Sequence, residues 1–449
     1  MKNIVLFLIG MACISGLQAQ IRIKPQPQPG FDKRIATYVS EMKVVDTHEH
    51  LEGQTSWMKN GKLDFMLLLQ HYAYDDIRSA GMAKQTFNKL LTDSLSVIEK
   101  WNTLKPFWEG TSNTAYCRAA LLTADQLFGI QDINGQTVES LSAKIKKAYQ
   151  TDWYKVVINE KCAIDYMVID GADHTLGSPS QFKYVKKFDY LSIDSRKKIG
   201  IIAKRQNVAL NSVDDLVGAL ETEFKEAVKQ GCVAIKTTVA YNRTLLFEDV
   251  SKTRAEEVFE QILSSKSDAP LPIEDVKPLQ DYMMHRILDL ARATNTPVQI
   301  HTGLQAGDGN YIENSRPTHL ANLLLKYRDV NFILFHGGYP YGGELATLAK
   351  NFRNVSIDMC WLYIISPSYS ERYLNEWLET VPANKIMAFG GDFRNVENIF
   401  GHLLFAKQII SKVLIDKVRD GYFTENEAIK IAQMILHDNA IRILKLDKR

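Results

Sequence analysis

The chain has 449 residues, of which 45% are hydrophobic and 24% are charged, and its formal net charge is +2. This is the composition of an ordinary globular protein with enough apolar material for a large core. A charge so close to neutral excludes nucleic acid and an anionic membrane as bulk electrostatic partners. Because a (β/α)8 barrel takes about 250 residues, the length allows either one barrel with a large insertion or two domains.

The first residues have the pattern of a secretory signal peptide, which we assign to residues 1–19. Lys2 precedes an apolar run at residues 4–12, and small and polar residues then lead to Ala19, where we predict cleavage. The apolar run is too short to span a bilayer, and we expect no stable membrane span later in the chain. We therefore expect an exported protein, periplasmic or extracellular. Lipid anchoring through Cys13 is a less favoured alternative, because the three residues before it match a lipidation signal poorly.

Residues 20–43 are predicted to form an N-terminal linker and a short helix. The linker is rich in proline at residues 25–29 and is therefore extended, and the helix covers residues 32–42. The cysteines beyond the signal peptide are far apart and form no Cys-x-x-Cys pair. Four cysteines allow three disulfide connectivities, among which the sequence does not choose, and we favour buried free thiols.

A histidine pair lies at the end of the first predicted strand, which begins at Val44. Residues i and i+2 of an extended strand point to the same side, so His48 and His50 project together. Neutral imidazoles are good ligands for zinc and other transition metals. A single His-x-His motif is equally compatible with two surface or hydrogen-bonded histidines, so a metal site requires further ligands from elsewhere in the chain.

Residues from about 54 to 160 are mainly helical in pattern. The apolar residues at 65–69, and those spaced at 90, 91, 95 and 98, suit buried helix faces, and regular strand alternation is lacking. We predict a helical insertion after the first strand that lies over one face of the later scaffold.

From residue 161 onward, predicted strands alternate with predicted helices, which indicates parallel pairing. With the first strand the total is eight, so we predict a closed (β/α)8 TIM-type barrel over residues 44–449, with its active site at the carboxyl ends of the strands. The later strands are predicted at residues 163–169, 188–193, 232–238, 297–301, 331–336, 355–360 and 385–389.

Two of these strands end in a residue that can bind a metal, His301 and His336, and the last strand leads through two glycines to a third, Asp392. Taken singly, each has an ordinary structural explanation. In one barrel, however, all of them lie on the same rim as His48 and His50. Three imidazoles and a carboxylate around an ion with an open position describe a hydrolytic metal site.

This order of ligands resembles the amidohydrolase superfamily, which has a His-x-His on strand 1, a histidine after strands 5 and 6, and an aspartate after strand 8. The amidohydrolase-related branch is the most similar, through Gln-Ile-His-Thr-Gly-Leu-Gln at residues 299–305, Phe-His-Gly-Gly-Tyr-Pro at 335–340 and Phe-Gly-Gly-Asp at 389–392. That branch includes hydrolases, nonoxidative decarboxylases and the amidohydrolase-like half of some glutamine-synthetase fusions.

The predicted insertion resembles that of uronate isomerases at residues 69–81, Leu-Gln-His-Tyr-Ala-Tyr-Asp-Asp-Ile-Arg-Ser-Ala-Gly. Asp392-Phe393-Arg394 is also similar to their Asp-x-Arg after the last strand. The isomerase helix carries an arginine where this chain has Asp75, and the segment after His301 is unlike the isomerase pattern. These departures stand against sugar-acid isomerisation.

The residues and the resemblance together predict one divalent ion, zinc in preference to other metals, held by His48, His50, His301 and Asp392. A zinc-bound water has a pKa of about 7, and Asp392 would act first as general base and then as general acid. His336 would orient the water or polarise a substrate oxygen, and in relatives with two metals it could bind the second ion.

Several further residues are predicted to bind the substrate. Lys236 ends the fourth strand, where its ammonium could contact an anionic substrate or a rim carboxylate; carbamylation, which would let it bridge two metals, is a less favoured alternative. The other candidates are Arg394, Tyr339, and His71 with Arg78, which share one face of a helix.

We therefore expect a metal-dependent hydrolase that acts on a C–N or C–O bond of a small, anionic substrate. A uronate-type aldose–ketose isomerase or a nonoxidative decarboxylase on the same metal site is the alternative. A binding protein without chemistry is a third interpretation, against which the complete set of ligand positions argues. The substrate, the metal and the number of ions stay open, and a homo-oligomer is compatible with the sequence.

Overall fold

The computed structural model describes residues 27–59, 63–171, 176 and 180–447. The predicted signal peptide, Cys13 and the linker up to residue 26 lie outside these residues, so export and lipid anchoring stay predictions. The first described helix, α1, covers Phe31–Glu41 and agrees with the helix expected at residues 32–42.

Eight strands form one parallel sheet in chain order, each hydrogen-bonded to the next. The sheet curves into a nearly closed barrel, which confirms the predicted (β/α)8 fold. The strands are β1 Val44–Glu49, β2 Ile164–Asp170, β3 Phe182–Lys187, β4 Ala234–Thr237, β5 Val298–Ile300, β6 Phe332–Leu334, β7 Val355–Asp358 and β8 Ile386–Met387.

The ring closes between β1 and the segment that follows β8. The backbone N–H of Thr47 donates to the carbonyl of Phe389 at 3.1 Å, and the N–H of Asp392 donates to the carbonyl of His48 at 3.0 Å. Two residues after His48, the backbone N–H of His50 donates to the carbonyl of Phe393 at 2.9 Å. These bonds align the segment that contains His48 and His50 with the segment that contains Asp392.

The third strand was expected at residues 188–193, and this prediction is wrong. Residues Asp189–Ser192 form a 3-10 helix, and β3 lies just before them at Phe182–Lys187. The six residues of β3 include three lysines, which hide the strand pattern. The apolar residues that suggested a strand are instead buried around the short helix; Phe188, for example, stacks on Phe224 with ring centroids 5.5 Å apart. The local sequence pattern therefore favours the wrong segment as the third strand, and burial in the folded protein decides which segment forms it.

The described residues between β1 and β2 contain helices but no strand, as expected for residues 54–160. The α-helices there are α2 Gln54–Lys59, α3 Tyr72–Ser79, α4 Lys84–Leu90, α5 Val97–Thr111, α6 Ala115–Phe128, α7 Val138–Ala148 and α8 Trp153–Lys155. A 3-10 helix at Phe65–Leu69 and a π-helix at Val156–Lys161 complete this region. The division of the chain into barrel and insertion remains a prediction.

The remaining helices surround the barrel. They are α9 Arg196–Gln206, α10 Val213–Lys229, α11 Lys252–Ser264, α12 Ile273–Thr294, α13 Ala321–Lys326, α14 Gly342–Asn351, α15 Leu362–Ile365, α16 Pro367–Thr380, α17 Val396–Arg419, α18 Glu425–Gln433 and α19 Asn439–Leu444.

Helix α17 connects the barrel to the helices that follow β1. Asn395 caps its N-terminus, because the Asn395 side chain accepts the N–H of Asn398 at 3.0 Å. In the described part of the chain it is the one helix that is long and apolar enough to cross a membrane. However, 67% of its most apolar stretch is buried within the protein. That burial is the environment of a core helix.

The crossing of α17 with α6 depends on Gly401. A Cβ at this position would lie 2.7 Å from the carbonyl oxygen of Ala119 and would also collide with the hydroxyl of Thr123. We expect Gly401→Ala to lower the free energy of unfolding by about 1–3 kcal/mol, because the backbone of α6 must move. The matched control is Gly218→Ala in α10, where a Cβ meets nothing within 4 Å; it should be neutral or stabilising by up to about 1 kcal/mol. Urea unfolding of both variants is the measurement, and equal stability of the two would contradict this account of the crossing.

Glu397, on the first turn of α17, is fully buried and accepts hydrogen bonds from Trp153 Nε1 at 2.7 Å and from the Tyr149 hydroxyl at 3.3 Å. Burial raises its pKa from 4.5 to about 7. A raised pKa favours the folded state below pH 4.5, and this advantage is lost as the pH rises through about 7. Relative to Glu397→Gln, wild-type stability should therefore fall by about 3 kcal/mol across this window, at 1.36 kcal/mol per pKa unit.

The measurement is urea unfolding of wild type and Glu397→Gln at a series of pH values. Glu139→Gln, which changes an exposed carboxylate, should follow the wild-type curve throughout. Parallel curves for wild type and Glu397→Gln would show that Glu397 is ionised in the folded protein.

Candidate metal centre

Three predicted ligands converge at the rim of the barrel. His48 and His50 leave the end of β1 with ring centroids 5.0 Å apart. Asp392 Oδ1 lies 3.1 Å from His50 Nε2 and 3.6 Å from His48 Nε2. One donor atom from each of the three residues lies within 4.8 Å of the others, a spacing that a single divalent ion can bridge.

The backbone is strained at both residues with a predicted catalytic role. Asp392 and His336 adopt positive φ angles of 63° and 62°, a conformation that costs about 1–2 kcal/mol for residues with a Cβ. At Asp392 the strain is balanced by the N–H bond to His48. At His336 the strained residue opens a tight turn in which Gly337 and Gly338 also have positive φ angles. Strain of this kind collects at functional sites, where it aims side chains that a relaxed backbone would point elsewhere.

His301 and His336 contact each other rather than the His48–His50 pair. His336 Nε2 lies 2.9 Å from His301 Nδ1, and His301 Nε2 lies 2.9 Å from the carbonyl of Leu304. Both ring nitrogens of His301 are thus engaged. To serve as the predicted fourth ligand, His301 has to exchange one of these contacts for the ion.

The protonation states at the rim favour metal binding. Burial lowers the pKa of His48 and His301 well below the usual value and that of His336 to about 3. All three imidazoles are therefore neutral and keep a lone pair. Burial by itself would raise the pKa of Asp392, but the neighbouring His48 and His50 hold it well below its usual range. Neutral imidazoles beside an ionised carboxylate are the donor set that zinc takes in proteins.

Sequence reasoning missed Asp170 at the end of β2. Its side chain is 2% exposed, and Oδ2 lies 3.8 Å from His48 Nε2, 3.7 Å from His50 Nδ1 and 2.5 Å from Lys187 Nζ. The signal was present, because Asp170 follows a predicted strand just as His301 does. The glycine that comes next makes the pair look like a turn.

Cys360 was also not expected at the site. The four cysteines at 117, 162, 232 and 360 are free and buried, which confirms the favoured interpretation. Cys360, however, follows β7 and places its Sγ within 4.8 Å of donor atoms of His336 and Asp392. A lone cysteine carries no pattern that would reveal this position.

Two predicted substrate-binding residues lie beside the site. Lys236 is 2% exposed; its Nζ has no hydrogen-bonding partner among the described residues and lies 3.7 Å from the centre of the Phe335 ring. Burial lowers its pKa. His71 precedes α3 with a φ of 70°, and its ring centroid is 6.1 Å from that of His50. The prediction that His71 and Arg78 share one helix face is therefore wrong, because His71 lies before the helix, but the segment after β1 does reach the barrel mouth.

The other three predicted substrate-binding residues are engaged with protein groups. Arg78 pairs with Asp308 on the loop after β5, and Arg394 pairs with Glu52. Tyr339 packs against Tyr369 with centroids 4.8 Å apart. Their role toward a substrate stays a prediction.

The fold and this site define a class of protein: a (β/α)8 barrel with a candidate metal centre at the carboxyl ends of its strands. In sequence, residues 267–446 match the amidohydrolase family. A stretch of 226 residues is 30% identical to Protein fluG of Emericella nidulans, an alignment that covers 48% of this chain and 26% of that protein. The chain thus matches only about a quarter of this curated relative's length.

Solved structures extend the likeness to nearly the whole chain. A uronate isomerase of Thermotoga maritima aligns with a TM-score of 0.77 at 17% identity, covering 92% of this chain and 97% of that one. A glucuronate isomerase of Caulobacter crescentus gives 0.72 at 16% identity, with coverages of 94% and 95%. A Lactobacillus casei protein, provisionally described as a metal-dependent hydrolase, gives 0.66 at 18% identity, with coverages of 92% and 98%.

These findings confirm the predicted resemblance. The chain shares its sequence pattern over residues 267–446 with the amidohydrolase superfamily, and it shares its fold with the uronate isomerases.

Substitution of Asp170 tests the candidate centre without replacing any of the predicted ligands. We expect Asp170→Asn to weaken zinc binding by about 10–100-fold, since groups that hold and orient metal ligands have effects of this size. Zinc affinity is measured by competition with a chelating dye. Asp189→Asn, which breaks a contact with Arg205 on the outer face, is the control and should bind zinc as wild type does. Unchanged affinity in Asp170→Asn would remove this residue from the centre.

Proposed function

We propose that the protein is a metal-dependent hydrolase that uses an activated water on a C–N or C–O bond of a small, anionic substrate. The observation that carries the proposal is the convergence of His48, His50 and Asp392 donors at the barrel rim, where the pKa of His48 and the pKa of Asp392 both lie well below their usual values. The donor set fits one divalent ion, zinc by preference, with His301 as the predicted fourth ligand.

When bound there, zinc supplies Lewis acidity and brings the pKa of a water molecule to about 7. Asp392 is placed to take the proton from the attacking water and to return it to the leaving nitrogen or oxygen, as general base and then general acid. His336 Nδ1 lies 3.7 Å from Asp392 Oδ2, so both side chains lie at the same part of the barrel rim. His336 is therefore suited to orient the water or to polarise the substrate oxygen.

An anionic substrate is supported by the cations around the centre. Lys187 leaves the end of β3 with its side chain 40% exposed and bonded to Asp170. Lys236 lies in the barrel, and its Nζ has no hydrogen-bonding partner among the described residues. The aromatic residues Tyr72 and Trp361 stack with centroids 4.3 Å apart and join α3 to the end of β7. Cationic and aromatic side chains therefore lie beside the predicted metal ligands, and the two aromatic residues are buried.

A uronate-type aldose–ketose isomerase is the second candidate. It is favoured by one specific observation, the whole-chain structural likeness to isomerases at TM-scores of 0.77 and 0.72. On this alternative, His71 or Asp392 would move a proton between adjacent carbons, and no water would enter the product.

Reactions run in water labelled with heavy oxygen and, separately, in deuterium oxide distinguish the two candidates. The probes are N-acetyl amino acids and sugar-acid lactones for hydrolysis and D-glucuronate for isomerisation. Heavy oxygen in a newly formed carboxylate supports the hydrolase. Carbon-bound deuterium in a ketose formed from D-glucuronate, with no hydrolysis of the other probes, supports the isomerase and overturns the proposal.

The metal centre is tested by His48→Ala and Asp392→Asn. Each variant should stay folded by circular dichroism but lose bound zinc or reduce turnover of the best probe by about 100-fold or more, because the ligand or the general base is gone. His319→Ala, which alters a histidine beside Glu313 away from the centre, controls for non-specific loss and should leave both properties unchanged. Full zinc content and full turnover in both site variants would sink the proposal.

A further inference from the structure

The two carboxylate oxygens of Asp392 face different groups. Oδ1 is directed at His48 and His50, whereas Oδ2 lies 3.7 Å from His336 Nδ1. Cys360 joins the second group, because its Sγ and the donors of His336 and Asp392 all lie within 4.8 Å of one another. Asp392 is thus shared between two separate sets of potential ligands.

The three contacts made by the His301 and His336 rings outnumber the protons that these rings can donate. His301 Nε2 lies 2.9 Å from the Leu304 carbonyl, His301 Nδ1 lies 2.9 Å from His336 Nε2, and His336 Nδ1 lies 3.2 Å from the Cys360 carbonyl. Two neutral imidazoles carry only two N–H groups, so only two of the three contacts can be hydrogen bonds. If the two shorter contacts are the hydrogen bonds, His336 Nδ1 keeps its lone pair. That lone pair then faces oxygen atoms, an arrangement that a cation would stabilise.

The position of the Cys360 sulfur is fixed by its surroundings. Its backbone N–H donates to Asp358 Oδ1 at 2.8 Å, and the next N–H, from Trp361, donates to the Gly390 carbonyl at 3.0 Å. A Cβ at Gly390 would lie 2.9 Å from Sγ. Glycine at this position therefore leaves the sulfur the space that it occupies next to Asp392.

We propose that His336, Cys360 and Asp392 form a second cation subsite, selective for a thiophilic divalent ion such as zinc or cadmium. It rests on the proposed function through Asp392, which would bridge the two ions, and it requires His301 to keep both of its contacts, so that the first ion would be held by His48, His50 and Asp392. A thiolate selects soft or borderline metals over magnesium or calcium. Binding displaces the thiol proton to solvent and forms the metal–sulfur bond. Two ions that share a carboxylate are a known arrangement for hydrolysis, but here the second ion would have a sulfur ligand from the strand after His336.

Cadmium titration of the full chain tests the subsite, because a cadmium–thiolate bond has its own ultraviolet charge-transfer band. We expect wild type to bind two cadmium ions per chain and to develop the band. Cys360→Ser should bind one ion without the band. The matched control is Cys162→Ser, which alters another buried free thiol, and it should behave as wild type.

His50→Ala separates this proposal from the proposed function, because it should lose the first ion and keep the band. A wild type that binds one ion without the band overturns the second subsite and leaves the metal centre intact. A band that survives in Cys360→Ser also overturns it. If Cys360→Ser does not fold, cadmium NMR of wild type decides: a sulfur-ligated resonance supports the subsite, and its absence overturns it.

Discussion

The closure of the barrel at Asp392 is the constraint on which the site depends. The N–H of Asp392 is bonded to the carbonyl of His48, and its carboxylate reaches the imidazoles of His48 and His50. The same residue thus completes the sheet and brings an anionic donor to the histidine pair. Because its φ is positive, the carboxylate is aimed into the barrel mouth instead of along the strand. Loss of the closure would separate the ligands.

Buried carboxylates beneath the rim support this closure. Asp46 Oδ1 accepts the N–H groups of His48 and Gly391, both at 3.2 Å, and Glu49 Oε2 accepts the N–H of Phe393 at 2.6 Å. A Cβ at Gly391 would collide with Glu49, so the glycine before Asp392 is required by packing. Burial raises the pKa of Asp46 to about 6 and that of Glu49 well above its usual value. These acids therefore act as hydrogen-bonding partners that hold β1 against the end of β8.

The sequence predicts well wherever a strand ends in a chemically distinctive residue. His48, His50 and Asp392 come together as expected, because parallel strands in a barrel bring their carboxyl ends to one rim. The prediction fails at β3, where the lysines of Phe182–Lys187 obscure the strand and the neighbouring apolar segment is buried as a 3-10 helix. Asp170 was overlooked because Asp-Gly is a common turn sequence, although Asp170 lies at the end of a strand as the predicted ligands do.

By itself, the sequence determined the barrel and the rim on which the predicted ligands lie, since strand alternation and residue type are local properties. Tertiary structure alone decided how the donors are grouped. His301 contacts His336 instead of the His48–His50 pair, and Cys360 lies beside Asp392. These pairings depend on ring orientation, on positive φ angles at His336 and Asp392, and on space left by Gly390. Such features arise from contacts between residues far apart in the chain, which no local pattern records.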